Sequence, residues 1–597
     1  MACIRIARVR TAIIGAARVG AAIANAAGRK APILGTAAVN TAIVNTAIVN
    51  AAIVNAAIVG AAILGAVIPN AAMLGAAIAS AAPMRAAGAD PAQPANRVPR
   101  SDASVGQAPT AAPGGESSNW RLGSLDLAPC SVGPRHASWI PAQPAYCAVF
   151  DVPEDWDSPG GRHIGLRVAV VKASAAQADA DIVAFLDGGP GGAATQDYPT
   201  VAGALAPLRK RHHILLVDQR GTGASNPLDC GDDLYLEADK PTRPAPGAAP
   251  RAETGPQRAA VRHCLDSLLP RAAPQFYATG DAVRDLEAVR QALGGVRLDL
   301  VGVSYGTRVA QQFTRRYPAA VRSVVLDSPV PNRLALMSEH ARNLEDALRQ
   351  RLSRCRQSVD CARRFGDPYE SLRQTEAHLR RQPQTVTVQD PQTFAASQAK
   401  ITAGDLAELV RFYLYSDTTS ALLPLVISEA RDGRLGPVLA QSQLIVGDVT
   451  EHLSSGMAAS VLCTEDADLL ADNPADAGTL LGAEAVRSAI ETCTQWPHRA
   501  RSDDFHAPFE TAIPVLVLSG EFDPVTPARY GAEIVAGLAH ARQLLAPGQG
   551  HAVIGIGCMP RLVSTFVQTL DPARIDAACL GVLGDTPAFL TVNGAAP

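Results

Sequence analysis

Leu298-Asp299-Leu300-Val301-Gly302-Val303-Ser304-Tyr305-Gly306-Thr307 is the stretch on which the reading of this chain turns. Leu298 to Val303 is largely apolar and reads as a buried strand, and Thr307 to Tyr317 has helical character. Between them lies Gly302-x-Ser304-x-Gly306. A strand that passes into a helix within so few residues makes a turn whose flanking positions must be small. Such a turn lifts the hydroxyl at its centre out of the sheet.

The surroundings repeat this strand-and-helix rhythm. Ile164–Val171, Ile182–Leu186, Ile214–Val217, Ser323–Leu326 and Val515–Leu518 are apolar runs of strand length, separated by helical stretches. That alternation predicts a mostly parallel sheet covered by helices. With Ser304 at a strand-to-helix turn, it predicts the α/β-hydrolase fold.

A serine hydroxyl is a poor nucleophile until a base takes its proton. In this fold the base is a histidine late in the chain. His551, in Pro547-Gly548-Gln549-Gly550-His551 just after the candidate strand Arg542–Leu545, is the best placed. His212 and His213 begin a strand, and His340, His452 and His506 fall in another region. The base needs a carboxylate to hold one tautomer and stabilise its protonated form. Asp523, in a loop straight after Val515–Leu518, fits, and Glu521 is its rival. The order Ser304, Asp523, His551 is that of the fold. Acyl transfer also needs donors aimed at the developing oxyanion. Asp187-Gly188-Gly189-Pro190-Gly191-Gly192 follows Leu186, and its glycines let backbone N–H groups come close. Gly189 N–H and Tyr305 N–H are the candidates for the oxyanion hole. No Gly-Lys-Ser/Thr follows this loop, so a phosphate cradle is a poor reading. We expect neither a cofactor nor a metal.

These motifs together resemble the prolyl-aminopeptidase and tripeptidyl-aminopeptidase group of secreted α/β-hydrolases. Asp187 to Gly192 is similar to that group's Gly-Gly-Pro-Gly oxyanion loop, although the intracellular prolyl aminopeptidases usually carry His where Asp187 stands. Val217-Asp218-Gln219-Arg220-Gly221-Thr222-Gly223 resembles its Asp-Gln-Arg-Gly segment, and Cys493-Thr494-Gln495-Trp496-Pro497 resembles the start of its C-terminal segment. Ser304, Asp523 and His551 match its nucleophile, acid and base. The likeness runs from about residue 120 to 582. It implies a serine exopeptidase that acts near the N-terminus of short peptides, releasing a proline or a short peptide through an acyl-enzyme. By the same analogy Asp218, Arg220 and Gly221 are expected to form a turn and ion pair beside the oxyanion loop.

Residues 328–512 separate two predicted strands of the sheet, far more than an ordinary connection. An inserted, mainly helical cap is expected there. Leu344–Leu348, Leu406–Val410 and Ala421–Ala430 have helical composition or spacing. An aminopeptidase must recognise a free amine, which a partly desolvated carboxylate does well. Glu465 and Asp466, in a Cys-x-Glu-Asp segment that resembles one in the tripeptidyl group, are the candidate anchor; the alternative is an acidic helix start facing solvent.

Charge and cysteine content narrow the setting. The 53 basic and 56 acidic residues nearly cancel, which gives no nucleic-acid footprint. Of 11 cysteines, Cys3 stands apart; the other ten suit five disulfides and an oxidising compartment, and no Cys-x-x-Cys occurs. Pairing of sequence neighbours is expected: Cys130–Cys147, Cys230–Cys264, Cys355–Cys361, Cys463–Cys493 and Cys558–Cys579. Residues 11–84 repeat every five, with Gly, Asn or Ser at most fifth positions and Ile two before. An export-related leader, a membrane span and a pentapeptide-type β-solenoid all remain open, as does expansion of a short repeat with no selected fold. Membrane association is expected only through this tract.

The expected organisation is therefore residues 1–84 as the apolar repeat or leader, 85–118 as an Ala-, Pro-, Gly- and Ser-rich linker, 119–330 and 511–597 as the two parts of the hydrolase core, and 331–510 as the cap. An exported, periplasmic or secreted location follows. Two other functions compete: an esterase or amidase on small molecules with the same triad, and a surface or binding protein carrying a decayed hydrolase domain, against which the intact Ser, Asp and His argue.

Overall fold

The computed structural model describes residues 118–134, 140–230, 256–389 and 395–595, all within the unit Ala79–Pro597. The readings of the repeat, the linker and Cys3 lie outside the described residues.

Twelve strands are described. Ten form one sheet: β1 (Trp120–Leu122), β2 (Leu125–Val132), β3 (Gln143–Pro153), β4 (His163–Val171), β5 (Ile182–Leu186), β6 (Ile214–Val217), β7 (Leu298–Val303), β8 (Val321–Asp327), β11 (Val515–Gly520) and β12 (Ala541–Ala546); β9 (Gln384–Gln389) and β10 (Ala396–Ile401) make a separate hairpin. The order in the sheet is β1-β2-β3-β4-β6-β5-β7-β8-β11-β12. The pairs from β6 to β12 are parallel, and β1 to β4 run antiparallel and join through β4–β6.

Each central strand is apolar on both faces because helices cover both. Leu300, Val324 and Val517 face one layer together with Leu286, Val289, Val309 and Phe313. Their neighbours Val301, Val325 and Leu516 face the other, with Leu205, Leu208, Leu562 and Phe566. This period of two on a two-sided core explains why these strands read as unbroken apolar runs. The covering helices are α1 (Ala194–Arg209), α2 (Pro256–Leu268), α3 (Thr279–Ala292) and α4 (Tyr305–Arg316) before the insertion.

The insertion between β8 and β11 carries α5 (His340–Gln357), α6 (Val359–Phe365), α7 (Pro368–Arg381), α8 (Ala403–Tyr413), α9 (Asp417–Ser420), α10 (Leu423–Arg431), α11 (Leu435–His452), α12 (Ser455–Glu465) and α13 (Glu484–Cys493). It has its own apolar centre, built on Leu344, Leu348, Leu406, Leu409, Val410 and Ile427. The β9–β10 hairpin is the one strand pair described in the mainly helical insertion. Thr385, Val386, Thr387 and Val388 are β-branched and alternate in burial, so the local signal for it exists. After the insertion come α14 (Ala528–Ala536) and α15 (Met559–Thr569).

The five disulfides pair sequence neighbours as expected, Cys130–Cys147, Cys230–Cys264, Cys355–Cys361, Cys463–Cys493 and Cys558–Cys579. Cys558–Cys579 fastens the start of α15 to the C-terminal segment. Among the described residues no helix is long and apolar enough to cross a membrane.

Parallel strands end on one common edge, and connections leaving that edge collect there. Leu186, Val303, Asp327, Gly520 and Ala546 end β5, β7, β8, β11 and β12. The loops that follow them carry Gly189, Ser304, Asp523 and His551.

Candidate active site

Ser304 is the residue between β7 and α4, with φ 53° and ψ −122°, a conformation that non-glycine residues rarely adopt. The two glycines around it have a direct reason. A Cβ on Gly302 would come 2.5 Å from Gly306 O, and one on Gly306 would come 2.1 Å from Leu186 O. A side chain at Gly302 would force the turn open against the start of α4, and one at Gly306 would push it off β5. Tyr305 opens α4, so its N–H has no acceptor within the helix. Its ring is buried, and its hydroxyl shares a 2.7 Å hydrogen bond with Thr279 Oγ1.

His551 sits in the loop after β12. Its ring is nearly buried, with 8% of the side chain exposed, and its Nδ1 lies 2.8 Å from Asp523 Oδ2. Asp523 also accepts the N–H of Val525 at 2.9 Å and of Thr526 at 2.8 Å, and the Thr526 hydroxyl at 3.0 Å. A carboxylate with this many donors stays ionised. Burial alone would raise its pKa, but the facing imidazole and these hydrogen bonds hold it below the ordinary value. An ionised acceptor at Nδ1 places the ring proton there and leaves Nε2 with a lone pair. Burial disfavours the imidazolium, yet the charge and hydrogen bond of Asp523, with Asp327 behind them, raise the His551 pKa above its ordinary value.

Glu521, the rival acid, is used elsewhere: it accepts the Gly548 N–H at 2.8 Å and pairs with Arg354 at 3.2 Å. Among the described hydrogen bonds none joins Ser304 Oγ to His551. Such a contact is often long without substrate and tightens in the complex. Gly189, with φ +110°, lies in the loop after β5, and Gly188 packs within 3.1 Å of the Ser304 Cβ when given a Cβ of its own. The loop and the Ser304 turn are thus in contact.

The insertion reaches both halves of this edge. The His551 N–H donates to Tyr415 O at 2.8 Å, and the Tyr415 ring meets the imidazole edge-on at 5.2 Å. On the other half, Ser454 N–H donates to Gly191 O at 3.0 Å. Tyr415 carries no pattern in the sequence that would single it out.

The Asp-Gln-Arg-Gly segment is structural in its contacts. Arg220 is wholly buried and forks onto Asp285 with two 2.6 Å bonds. Asp218 accepts Thr195 N–H at 2.8 Å and its hydroxyl at 2.9 Å, which ties the turn to the start of α1 behind the glycine loop.

Glu465 and Asp466, the candidate amine anchor expected in a partly desolvated cleft, are instead fully buried against Arg308, and they do not form an exposed helix start. They lie at the end of α12, 1% and 0% exposed, with Arg308 of α4 between them. Arg308 Nη1 donates to Glu465 Oε2 at 3.1 Å and to Asp466 Oδ2 at 2.9 Å; Thr279 N–H fills Glu465 Oε1 at 2.6 Å and Leu336 N–H fills Asp466 Oδ2 at 3.0 Å. Burial pushes Glu465 up to about 7 against the pull of Arg308. Arg308 thus fastens the insertion to α4 through both carboxylates, and Asp466 Oδ1 faces His506 Nε2 at 3.4 Å; removing one member of such a buried charge pair typically costs about 3–5 kcal/mol. The local sequence shows two acids; only the fold shows that Arg308 reaches them.

Comparison with known proteins agrees with this architecture. The family model described as alpha/beta hydrolase fold matches residues 181–556. The serine protease Hip1 of Mycobacterium tuberculosis is 25% identical over 460 residues, covering 71% of this chain and 85% of that protein. The tripeptidyl aminopeptidase of Streptomyces lividans is 29% identical over 200 residues, covering 32% of this chain and 37% of that protein. Carboxylesterase B of Mycobacterium tuberculosis is 26% identical over 478 residues, covering 73% and 86%.

Proposed function

This chain belongs to the alpha/beta hydrolase fold family, and on that premise we propose that it is a serine exopeptidase that cleaves short peptides near their N-terminus. Ser304 is the nucleophile, His551 its base and later the acid for the leaving amine, and Asp523 the carboxylate that orients the base. Gly189 N–H and Tyr305 N–H receive the oxyanion. Attack of Ser304 Oγ on the scissile carbonyl gives an acyl-enzyme and releases the amine; water, deprotonated by His551, then frees the acyl peptide.

The observation that carries the exopeptidase reading is the seating of the insertion on both halves of the edge, through Tyr415 at His551 and Ser454 at Gly191. A cap so placed narrows entry and favours chain ends over chain interiors. The peptidase names of two relatives support it. In this reading 331–510 is the cap, 119–330 and 511–597 are the hydrolase core, and the five disulfides favour an exported location. The similarity to a carboxylesterase supports a second reading, hydrolysis of small esters with the same residues.

The two separate in one comparison. Peptides with a free amino terminus, the same peptides acetylated, and a simple uncharged ester are offered in parallel. Preference for the free-amine peptides supports the exopeptidase; turnover of the ester with no cleavage of any peptide overturns it.

The same ester gives the pH dependence. His551 acts only when neutral, and its pKa is raised by Asp523. Activity is therefore expected to fall as pH drops, with the acid limb of kcat/KM above the ordinary imidazole value of about 6.5. A limb at or below that value contradicts the Asp523–His551 assignment.

A further inference from the structure

Between the serine turn and the histidine loop stands a dipeptide outside the triad and the oxyanion loop: Asp327-Ser328, at the end of β8. Its strand lies between β7 and β11, so it has Ser304 on one side and the Asp523 loop on the other. Its main chain is bonded to both neighbours. Ser304 N–H donates to Asp327 O at 2.9 Å, and Ser328 N–H donates to Leu518 O at 2.9 Å. Its side chains reach forward to the histidine loop. Ala552 N–H donates to Ser328 Oγ at 2.9 Å, Val553 N–H to Asp327 Oδ1 at 2.9 Å, and Ile554 N–H to Asp327 Oδ2 at 2.8 Å. The three consecutive amides that follow His551 thus converge on two adjacent side chains, both wholly buried.

This arrangement is costly unless it fixes something. A buried carboxylate without a cation loses its hydration, and here the two amides, the imidazole and a long 3.5 Å hydrogen bond from the Ser328 hydroxyl to Oδ1 compensate it. Burial pushes Asp327 up to about 6 in spite of them. Ala552 and Ser328 both have left-handed backbone, φ +63° and +53°, which costs a non-glycine residue roughly 1–2 kcal/mol. The charged groups that face Asp327 are His551 and Asp523, and from α5 of the insertion His340 faces those two in turn. Burial pulls His340 down to about 3, so it adds no charge at neutral pH. The imidazole of His551 accordingly has Asp523 bonded to it and a second carboxylate, Asp327, behind.

We infer that Asp327 and Ser328 are positioning residues that fix the separation of Ser304 and His551. Asp327 grips the nucleophile by its carbonyl oxygen and the base loop by its carboxylate, and Ser328 adds the third strut. The inference rests on the proposed roles of Ser304 and His551. A pair held to within a fraction of an ångström closes its hydrogen bond when substrate arrives; a looser one spends most of its time out of reach.

Asp327→Asn tests this. The amide is nearly isosteric, but its NH2 faces an N–H of Val553 or Ile554, so one strut becomes a repulsion. On an activated ester, kcat is expected to fall about 10- to 100-fold with KM little changed, because a misplacement of about 1 Å costs up to about 100-fold. Labelling of Ser304 by a fluorophosphonate should slow in parallel. The acid limb of the pH profile should move to lower pH, since a negative charge that favours the imidazolium is gone. Ser328→Ala should give a smaller fall in kcat of the same kind, and it decides the matter if Asp327→Asn does not fold. Asp299→Asn is the control: Asp299 is equally buried on β7 but bonds Ser323 and Arg322. It should lower Tm and leave kcat and the acid limb in place. Wild-type kcat, labelling rate and acid limb in both Asp327→Asn and Ser328→Ala overturn the inference, as does a loss no larger than Asp299→Asn produces at the same Tm. Activity retained in Ser304→Ala would instead remove the reading on which it rests.

Discussion

Ser304→Ala is expected to lower kcat by about 10⁶-fold and to abolish labelling by a fluorophosphonate. Without Oγ there is no acyl-enzyme, and what remains is binding and the oxyanion donors acting on water. A factor of that size corresponds to roughly 8 kcal/mol of transition-state stabilisation. The fold should survive, because the turn is held by the Ser304 N–H to Asp327 O bond and by Gly302 and Gly306, not by the hydroxyl. His551→Ala should be about as damaging, since residues that act as one unit fail together. Labelling at another serine, with turnover kept in Ser304→Ala, would reject the nucleophile.

The second large effect is expected at Asp523. Asp523→Asn should lower kcat by about 10⁴-fold with little change in Tm. The argument is one of protons. Oδ1 receives Val525 N–H and Thr526 N–H, and Oδ2 receives His551 Nδ1 and the Thr526 hydroxyl. An asparagine keeps its oxygen on the two amides and turns its NH2 toward His551. That NH2 can only donate, so Nδ1 must give up its proton and Nε2 must carry it. The base then has no lone pair for Ser304. The backbone contacts survive, which is why stability should hardly move. Glu521→Gln supplies the contrast: Glu521 bonds Gly548 and Arg354, so its loss should leave kcat nearly intact. Comparable losses in Asp523→Asn and Glu521→Gln, measured as kcat on one ester, would dissolve the distinction between the two acids.

What the sequence shows and what the fold adds divide by distance along the chain. β5, β6 and β7 run over the residues that the apolar runs predict, 182–186, 214–217 and 298–303, because a strand buried on both faces leaves an unbroken apolar record. β8 and β11 are longer than their runs: Val321, Arg322 and Asp327 extend one, and Ser519 and Gly520 the other. Polar and small residues at strand ends are held by the ladder, not by their own composition. β1 to β3 leave little mark in the sequence. Their alternating burial in β2 and β3 is imperfect and broken by Pro129 and Pro144, so the period-two signal is faint.

The amine anchor shows the limit most sharply. Glu465 and Asp466 look available because adjacent acids near a cysteine carry no mark of their partners. Arg308, 157 and 158 residues away in the chain, pairs with both of them. Asp327 shows the converse. It ends a strand on the same edge as Asp523, so the rule that selects a carboxylate beside a strand end applies to it as well. Its role depends on two amides of a loop more than 220 residues later.

The sequence by itself determined the strand-turn-helix at Ser304, the parallel sheet around it, and the late histidine loop that carries His551. All of these are local: a period, a turn that admits only glycine, a loop straight after a strand. Only the tertiary structure decided which acid touches His551, which cysteines pair, that Arg308 occupies Glu465 and Asp466, that Tyr415 and Ser454 bring the insertion onto the edge, and that Asp327 and Ser328 hold the histidine loop. Hydrogen bonds and ion pairs act over about 3 Å in space whatever the separation in the chain. A charged residue therefore leaves the same trace in the sequence whether it faces water, a substrate or its own protein.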